Sequence, residues 1–386
     1  MKRGLQGTFK KQISDSPEPF QSFIPANLPP DPALQWTPAL YQALSRADLM
    51  LGRLDGISRV LPDTNLFIYF YSRKEAVLSS QIEGTQSTLS ELLLFEASEL
   101  FPSHKEDLLD VSNYVAAMRH GLSRLASGFP LSLRLIREMH EILVRSGRGK
   151  HQNPGEFRVS QNWIGGTRPG NAAYVPPPVQ EMKDCLNAFE RFLHKGANEF
   201  PVLVQAAMLH VQFESIHPFL DGNGRLGRLL IPLLLMDRNV LVEPILYPSL
   251  FLKQNRSRYY ELLQQVRFEG IWEDWIEFFL EAIAVTAEQA VQLSQRILQL
   301  FRADEETVHN GRARSRLPSV YRSMQSSPVA LVAQVVRHTK LSTPTVLKAL
   351  EKLRELGILD EITGRERNRI YRYTKYVAML NEGTEL

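Results

Sequence analysis

The chain has 386 residues, of which 44% are hydrophobic and 23% charged, a composition typical of a globular protein with two or more domains. Its single cysteine, Cys185, excludes an internal disulfide framework, and the longest apolar run, Leu229 to Met236, is too short to span a bilayer. Because the first residues also lack the apolar core of a signal peptide, we expect a cytoplasmic protein with no membrane partner.

The net charge of +3 is unevenly distributed along the chain. Residues 311–386 contain 14 Lys or Arg and 7 Asp or Glu, a net charge of +7, which leaves about −4 for the rest. The sequence therefore predicts a basic C-terminal appendage on a mildly acidic body.

The N-terminal stretch 15–37 is rich in proline and carries Phe20, Phe23 and Trp36. This composition predicts extended chain, either strapped over the body through its aromatic side chains or disordered. From Pro38 to about Arg302, apolar residues recur at positions i, i+3 and i+4, which predicts helices almost throughout.

One helical run ends in the segment Ser79-Ser80-Gln81-Ile82-Glu83-Gly84. Taken alone, this is a helix stop, because Gly84 suits the residue after a helix C-terminus. Glu83 is electrostatically unfavourable there unless a cation meets it.

A β interruption follows in the middle of the chain. Residues 162–166 and 171–175 flank a Gly/Pro/Asn turn, which predicts a hairpin that the prolines at 176–178 terminate. A plain surface hairpin remains open as its interpretation.

The run from His217 to Arg228, HPFLDGNGRLGR, is the most informative stretch. Gly222 and Gly224 permit a turn whose N–H groups form an anion-binding concavity, and the helix that follows directs its positive dipole end at the same place. Arg225 and Arg228 share one face of the first helical turns, where they repel each other and oppose the dipole. A bound phosphate chain removes this conflict.

Three other interpretations fit parts of this run. Gly222 to Gly227 matches the dinucleotide pattern G-x-G-x-x-G, but the preceding segment has helical rather than strand periodicity. Asp221 could begin an EF-hand loop, but Pro232 stands where that loop requires Glu. A plain turn between two core helices, with His217 structural, would leave many polar groups without a ligand, which is costly.

Beyond a polar, basic break at 309–319, the pattern predicts helix, helix, strand, turn, strand, an order that resembles a winged helix. Pro344 suits the first position of the second helix after a cap at Ser342 or Thr343, and Gly357 closes it. DNA contact and protein docking or dimerisation both stay open, because Glu351, Glu355 and Glu366 dilute the positive face. The candidate DNA contacts are Thr345, Lys348, Lys352, Arg365, Arg367 and Arg369.

The run at 217–228 matches every fixed position of the signature H-x-F-x-(D/E)-G-N-G-R-x-x-R, so the chain resembles Fic-domain proteins. Most of these transfer AMP from ATP to hydroxyl groups of target proteins. The resemblance implies a mainly α fold, a helical bundle with a small β-hairpin flap, followed here by the winged-helix-like domain. The expected divisions are an extended N-terminal arm (1–37), a helical region with an inhibitory helix (38–105), the Fic core (106–305) and the winged-helix-like domain (306–386).

The resemblance also assigns roles to single residues. His217 becomes the general base, Asp221 the ligand of Mg²⁺, Arg225 the partner of the α- and β-phosphates, and Arg228 that of the γ-phosphate. Tyr260, rather than its neighbour Tyr259, is expected beside the nucleoside. The nucleotide-binding turn comprises Gly222, Asn223, Gly224, Arg225, Leu226, Gly227 and Arg228.

Two further segments resemble Fic motifs. Ser79, Glu83 and Gly84 match the inhibitory pattern (S/T)-x-x-x-E-(G/N), whose Glu pairs with the second signature arginine, here Arg228. We therefore expect self-inhibition. The hairpin residues Ala173, Tyr174 and Val175 resemble the flap that aligns a target chain by strand addition.

The expected function is transfer of AMP from ATP, with Mg²⁺, to Ser, Thr or Tyr hydroxyls of target proteins and of the protein itself. Alternatives on the same site are phosphorylation, UMP transfer, phosphocholination and removal of AMP. A different class of function is a DNA-binding regulator whose Fic body senses nucleotide. A homodimer is compatible with the sequence. The sequence does not identify the target protein.

Overall fold

The computed structural model of the protein describes residues 1–12, 19–59, 64–98, 105–147, 149–196, 199–309 and 316–385. Within these ranges the chain forms fifteen α-helices and two small antiparallel sheets, which confirms the mainly α prediction. None of the described helices combines the length and the apolar character that crossing a membrane requires.

Eleven of these helices form the body of the molecule. They are α1 (Pro38–Ser58), α2 (Thr64–Ile82), α3 (Leu89–Ser98), α4 (Lys105–Ala126), α5 (Leu133–Leu143), α6 (Val179–Lys195), α7 (Val202–Ile216), α8 (Asn223–Asp237), α9 (Ser249–Gln254), α10 (Arg256–Glu269) and α11 (Trp272–His309).

Side-chain caps fix where two of these helices begin. The Thr37 hydroxyl accepts a hydrogen bond from the backbone N–H of Leu40 at 3.1 Å and so starts α1. The Ser132 hydroxyl accepts one from the N–H of Leu135 at 3.4 Å and starts α5. The polar residue before each apolar periodic run thus sets the boundary.

Helices α7 and α11 organise the core. Helix α7 is buried along nearly its whole length, and polar side chains buried with its apolar residues, such as Gln205 and His210, form hydrogen bonds. Helix α11 has 38 residues and packs along α1, and the indole N–H of its Trp275 donates to the carbonyl of Ala207 in α7 at 2.9 Å. Helix α8 packs beside α7, so the loop between them is held on a rigid support.

The N-terminal arm lies strapped over this body. Strand β1 (Gly7–Gln12) pairs antiparallel with β2 (Phe20–Pro25), a pairing that the sequence analysis did not predict. The Phe23 side chain is buried against Phe9 and Phe268, with ring centroids 5.4 and 5.5 Å away. Of the two alternatives for the arm, the strap is the one found in the described residues.

A buried ion pair anchors the start of the chain. Both guanidinium ends of Arg3 donate to the Glu273 carboxylate, at 2.8 and 2.5 Å, and the backbone N–H of Gln35 donates to the same carboxylate at 2.7 Å. Burial acts to raise the pKa of Glu273, but the hydrogen bonds from Arg3 and Gln35 outweigh it and lower the pKa to about 2.

The C-terminal unit has a mixed architecture. Its elements are α12 (Leu317–Ser326), β3 (Val329–Leu331), α13 (Val332–Thr339), α14 (Thr343–Glu355), β4 (Leu359–Glu361), β5 (Ile370–Tyr373) and α15 (Thr374–Asn381). The three strands form an antiparallel sheet in the order β3-β5-β4. Strand β3 was absent from the sequence prediction, because VALVAQVV fits a helix throughout.

The C-terminal unit packs on the far end of α11. The Tyr373 hydroxyl donates to the Asp304 carboxylate at 2.5 Å, and the ring of Phe301 packs edge-on against Tyr376. Helix α11 continues through residue 306, the expected start of this unit, to His309. Most of the predicted linker, residues 310–315, lies outside the described residues.

We predict that Glu273→Gln lowers the free energy of unfolding at pH 7 by roughly 3 kcal/mol, because it leaves the buried Arg3 guanidinium without a charged partner. The stabilisation from a carboxylate with a lowered pKa is complete above the unfolded value of about 4.5 and is lost as the pH falls towards 2. Urea unfolding at several pH values measures both effects. The control is Glu269→Gln, which removes only an exposed pair with Lys2. Equal unfolding midpoints for the two variants at pH 7 would contradict this account of the anchor.

Candidate active site

His217 occupies a constrained position directly after α7. Its backbone is left-handed, with φ 47° and ψ 61°, a conformation that non-glycine residues rarely adopt. Two side chains hold the turn, since Arg158 Nε and Asn162 Nδ2 donate to the His217 carbonyl at 3.0 and 3.3 Å. These contacts fix where the imidazole lies.

The imidazole of His217 is neutral in this environment. Burial foremost, and the Arg267 guanidinium second, lower the pKa of His217 to about 3. Its Nδ1 lies 3.9 Å from Glu214 Oε2, beyond hydrogen-bond distance, and has no hydrogen-bond partner among the described residues. The side chain remains 18% exposed, so a substrate can reach it.

A second histidine braces the loop between α7 and α8. The backbone N–H of Gly155 donates to His140 Nδ1 at 3.0 Å, so Nε2 carries the proton and donates to the Asp221 carbonyl at 3.0 Å. The His140 ring also stacks on Phe219, with centroids 3.7 Å apart. Loop 217–222 is therefore held from below by both polar and apolar contacts.

Asn223 braces the same loop with its side chain. Its Oδ1 accepts from the Phe219 N–H at 2.9 Å, and its Nδ2 donates to the Phe219 carbonyl at 2.8 Å. Only its backbone N–H is left for an anion, so the side chain's contribution is to shape the turn.

Helix α8 begins directly after the glycine turn. Gly222 caps it with φ 80°, a left-handed value suited to glycine, and the first capping bond runs from the Leu226 N–H to the Gly222 carbonyl at 2.9 Å. The N–H groups of residues 223–225 precede that bond and have no acceptor within the helix. They form the N-terminal end to which an anion is attracted.

Arg225 lies beneath the loop between two carboxylates. Its Nη2 is 3.3 Å from Asp221 Oδ2, and its Nη1 is 3.6 Å from Asp110 Oδ2 on α4. The guanidinium is buried, and its Nε and Nη1 have no hydrogen-bond partner in the described part of the chain. Buried donors without acceptors are costly, so this guanidinium is suited to receive an additional anion.

Arg228 is buried deeper and is bound to the segment from Ser79 to Glu83. Its Nε donates to the Ser79 hydroxyl at 2.9 Å, and its Nη2 donates to the Ser79 carbonyl at 2.8 Å and to Glu83 Oε1 at 2.7 Å. The side chain of Arg228 is 1% exposed, whereas that of Glu83 is 39% exposed. The contact with Glu83 is a single hydrogen bond, made by Nη2.

Glu83 also fills the space directly above the glycine turn. A Cβ atom added to Gly224 would collide with Glu83 Oε1 and would lie 3.1 Å from Arg228 Nη1. Only glycine therefore allows this carboxylate to approach the turn. The same close approach places Glu83 where a phosphate bound by the turn and by Arg228 would lie.

Three carboxylates surround Arg228, and their pKa values are shifted in different directions. Burial raises the pKa of Glu75 and of Glu214 to about 7, although Arg228 opposes the rise. Burial acts in the same direction on Glu83, but the adjacent Arg228 outweighs it and lowers the pKa. Glu83 is thus the carboxylate that stays ionised beside Arg228 at neutral pH.

The two tyrosines of α10 differ in their exposure to solvent. Tyr259 is buried, and its hydroxyl forms a 2.8 Å hydrogen bond with His210 Nε2, which makes it a core residue. Tyr260 is 37% exposed, with the Arg256 guanidinium 5.5 Å from its ring centroid. Contact of Tyr260 with a nucleoside stays a prediction.

The hairpin near the site is minimal. One antiparallel bridge joins Ile164 to Tyr174, and a short 3₁₀ turn at Pro169–Asn171 lies between them. The Tyr174 hydroxyl donates to the Ser215 carbonyl at 2.6 Å, which anchors the segment to α7. The carbonyls on either side are occupied as well, because Gln264 Nε2 donates to Ala173 at 3.2 Å and the Phe23 N–H donates to Val175 at 2.8 Å.

Comparison with known proteins agrees with this geometry. Residues 41–123 match the model of the Fic/DOC family N-terminal region, and residues 130–235 match that of the Fic/DOC family. These two regions of the chain are therefore similar to the two parts of Fic/DOC family proteins. Residues 217–228 and 79–84 fall within the two matches.

Relatives of the Fic domain occur in insects. The protein adenylyltransferase Fic of Aedes aegypti is 35% identical over 163 residues, 41% of this chain and 29% of that protein. The protein of the same name from Drosophila persimilis is 27% identical over 260 residues, 64% of this chain and 46% of that protein. The chain thus spans less than half the length of these curated relatives.

Solved structures share the fold. A Fic family protein from Desulfovibrio desulfuricans G20 superposes with a TM-score of 0.59 at 19% identity, over 88% of this chain and 97% of that one. Fic-1 from C. elegans (residues 134–508) superposes with a TM-score of 0.51 at 20% identity, over 68% and 73% of the two chains.

Sequence reasoning missed several residues that shape the Fic site. Arg158 had no role assigned from the sequence, yet its Nε donates to the His217 carbonyl. Asp110, His140 and Glu214 had no local signal, because each lies on a helix whose periodicity explains it as a core position. Their roles depend on contacts between distant parts of the chain.

We predict that the His217 imidazole stays neutral from pH 8 down to pH 5, because burial disfavours its protonated form and lowers its pKa to about 3. Proton–nitrogen correlation spectra of the histidine rings, recorded across this range, measure it. The His217→Asn variant assigns the signal. A ring that titrates near the ordinary value of 6.5 would show that the environment of His217 is more hydrated than the structure indicates.

Proposed function

We propose that this protein transfers AMP from ATP to hydroxyl side chains of target proteins and of itself. The carrying observation is that one turn brings together a neutral imidazole, the free N–H groups that begin α8 and two buried arginines. The names of the insect relatives supply the reaction class. An anion at the helix end, beside a base, is what nucleotidyl transfer requires.

In this proposal the triphosphate lies across the start of α8. The N–H groups of residues 223–225 and Arg225 hold its α- and β-phosphates, and Arg228 holds the γ-phosphate. The Arg225 donors that have no acceptor in the described residues support this arrangement. The target hydroxyl attacks the α-phosphorus in line while His217 takes its proton, and pyrophosphate leaves.

A low pKa suits His217 before the nucleotide binds, and we expect this pKa to rise once the nucleotide is bound. His217 is neutral before the nucleotide binds, so it can accept a proton without first losing one. The negative charge of a bound triphosphate then favours the protonated imidazole and raises its pKa towards the working pH.

Asp221 is the residue that fits Mg²⁺. Its carboxylate is 40% exposed and faces the loop, with Oδ1 accepting from the Gly222 N–H at 2.7 Å. The described residues contain no cluster of three or more His, Cys, Asp or Glu side chains suited to a metal. This fits Mg²⁺, which binds through one or two carboxylates and the substrate phosphates. When bound, it would neutralise charge on the α- and β-phosphates.

Glu83 provides self-inhibition in this proposal. Arg228 cannot bind Glu83 and a γ-phosphate together, and Glu83 already occupies the space over Gly224. A charge-assisted hydrogen bond contributes roughly 1.5–3 kcal/mol, which the exposure of Glu83 reduces. That is enough to keep most molecules unproductive but not enough to make the state permanent.

We predict that Glu83→Gly raises AMP incorporation from α-labelled ATP by about one order of magnitude, because it frees Arg228 and the space over the turn. Glu83→Gln separates the two effects, since it keeps the bulk and removes the charge. An activity of Glu83→Gly equal to wild type would exclude this mechanism of inhibition.

We predict that His217→Ala abolishes AMP incorporation in the Glu83→Gly background, while ATP binding measured by calorimetry is retained, because only the base is lost. His194→Ala, on the exposed face of α6, is the matched control. Full labelling by the His217→Ala variant would overturn the assignment of the base.

The same experiment distinguishes the alternative reactions. Transfer of label from γ-labelled ATP would indicate phosphorylation, and loss of AMP from a modified protein would indicate the reverse reaction. UMP transfer and phosphocholination are tested by replacing ATP with the corresponding nucleotide. Intact mass spectrometry of the Glu83→Gly variant identifies the group added without a known target.

For target alignment, we propose the flap residues Ala173 to Val175, supported by their position beside the His217 loop. Because the carbonyls of Ala173 and Val175 already accept hydrogen bonds, a target strand has to pair through the edge at residues 163–165 or displace the N-terminal arm. Trp163, which is exposed, lies on that edge.

We further propose that the C-terminal unit is a winged helix that docks protein rather than DNA. Part of its positive charge is neutralised within the unit, since Arg369 and Arg354 both pair with Glu351, and Lys352 pairs with Glu355. A DNA-binding regulator remains the second candidate, supported by the net positive charge of this region. A salt-dependent gel shift that is lost on mutating Arg365 and Arg367 would favour it.

A further inference from the structure

A short segment at residues 381–385 reaches from the C-terminal unit to the inhibitory helix α2. It is held by three cations from three helices, Lys74 on α2, Lys253 on α9 and Arg296 on α11. We call residues 381–385 the latch segment and these three cations the clasp.

The clasp binds both the backbone and the carboxylates of the latch segment. Arg296 forms two hydrogen bonds with the Glu382 carboxylate, at 2.7 and 2.6 Å. Lys74 Nζ donates to the Glu382 carbonyl at 2.6 Å, and Lys253 Nζ donates to the Glu385 carbonyl. A surface with this spacing of cations fits an acidic peptide, and here its occupant is this chain's own segment.

The latch segment contacts the inhibitory motif directly. Gln81, two residues before Glu83, donates from Nε2 to the Thr384 carbonyl at 2.9 Å and to the Ser87 carbonyl at 3.0 Å, while its Oε1 accepts from Lys253 Nζ at 2.8 Å. Gln81 therefore joins the latch segment, the clasp and the turn that follows Glu83. Movement of the latch segment breaks a contact at the base of that turn.

Packing beneath the latch segment is incomplete. A cavity of about 280 Å³ lies between α2, α11 and the latch segment, lined by Lys74, Glu75, Arg296 and Glu382 among others. Gly383 lies in tight contact with Leu250. Its φ is 81°, and a Cβ atom added to it would lie only 2.7 Å from Leu250 Cδ1. The segment is consequently held mostly by polar contacts, which a competing partner can exchange.

We propose that the clasp and the latch segment couple the C-terminal unit to the inhibitory helix, so that an acidic protein segment captured by the clasp in place of the latch segment weakens the hold of Glu83 on Arg228. This rests on the proposed self-inhibition by Glu83. Few contacts separate the C-terminal unit from α2. Helix α15 ends at Asn381, whose Nδ2 donates to the Ser90 hydroxyl of α3 at 2.6 Å. The Tyr376 ring of α15 also packs on Phe70 of α2, with centroids 5.2 Å apart.

The test uses the full chain and a charge reversal. Arg296→Glu and Glu382→Arg each break the pair and are expected to raise AMP incorporation about two- to fivefold, the range that an exposed ion pair supports. The double reversal restores the pair and returns the rate to near wild type. Gly383→Val, which displaces the segment without a charge change, raises it as well.

Two controls make the outcome specific. Arg46→Glu removes a comparably exposed pair between α1 and α11, with Glu288 at 3.7 Å, and leaves the rate unchanged. In the Glu83→Gly background, the clasp variants add nothing, because the contact they loosen is already absent.

Hydrogen exchange of residues 79–85 gives a readout independent of activity. Exchange that is faster in Arg296→Glu and slow again in the double reversal supports the coupling. If Glu83→Gly activates but the clasp variants match wild type in both rate and exchange, the coupling is wrong and self-inhibition stands. If Glu83→Gly itself fails to activate, the proposed inhibition is wrong, and the exchange data alone decide whether the latch segment restrains α2.

Discussion

The burial of Arg228 is the constraint on which the site depends. A guanidinium is charged at any physiological pH, and placing it in the core is tolerable only when anions or carbonyls saturate its donors. Burial opposes the charge on Arg228, yet Glu83, the nearby tyrosines and Glu214 raise its pKa overall. Arg228 is therefore best stabilised when an anion, either the protein's own carboxylate or one carried by a ligand, completes the contacts that the Ser79 hydroxyl and carbonyl begin.

That requirement explains why three carboxylates lie near one arginine but only one acts as its counter-ion. Glu75 accepts hydrogen bonds from Ser249 and Tyr114, and Glu214 lies against Gly227, so both are enclosed and both have pKa values raised to about 7. Glu83 follows the last residue of α2 and is partly exposed, which lets it stay ionised and also move. Its charge contributes to the raised pKa of Glu214, so Glu214 binds its proton less tightly whenever Glu83 leaves.

The sequence predicted the elements that carry local signals and missed those that depend on distant contacts. The turn within residues 217–228 was predictable from the sequence. Two spaced glycines, a histidine and two arginines within twelve residues fit few local structures other than an anion-binding turn. Strand β1 was missed, since Gly7–Gln12 forms a strand only against β2, and β3 was missed because its residues also suit a helix. The contacts of Arg228 with Ser79 were missed for a similar reason, because a pattern of spaced residues does not show that the Ser79 hydroxyl and carbonyl accept from this guanidinium.

The energies of the contacts indicate how such a site is regulated. The Arg228–Glu83 pair contributes at most a few kcal/mol to stability. A contact that changes the free energy of the paired state by about 1 kcal/mol therefore changes the fraction of molecules without this pair several-fold. The contacts between residues 381–385 and the clasp are exposed ion pairs and backbone hydrogen bonds, which have about that strength. If Glu83 inhibits the site as proposed, these contacts shift that equilibrium by only a few-fold. An arrangement of this kind responds gradually to a partner of the C-terminal unit, whereas a triphosphate, which competes for Arg228 itself, acts on the same equilibrium from inside the site.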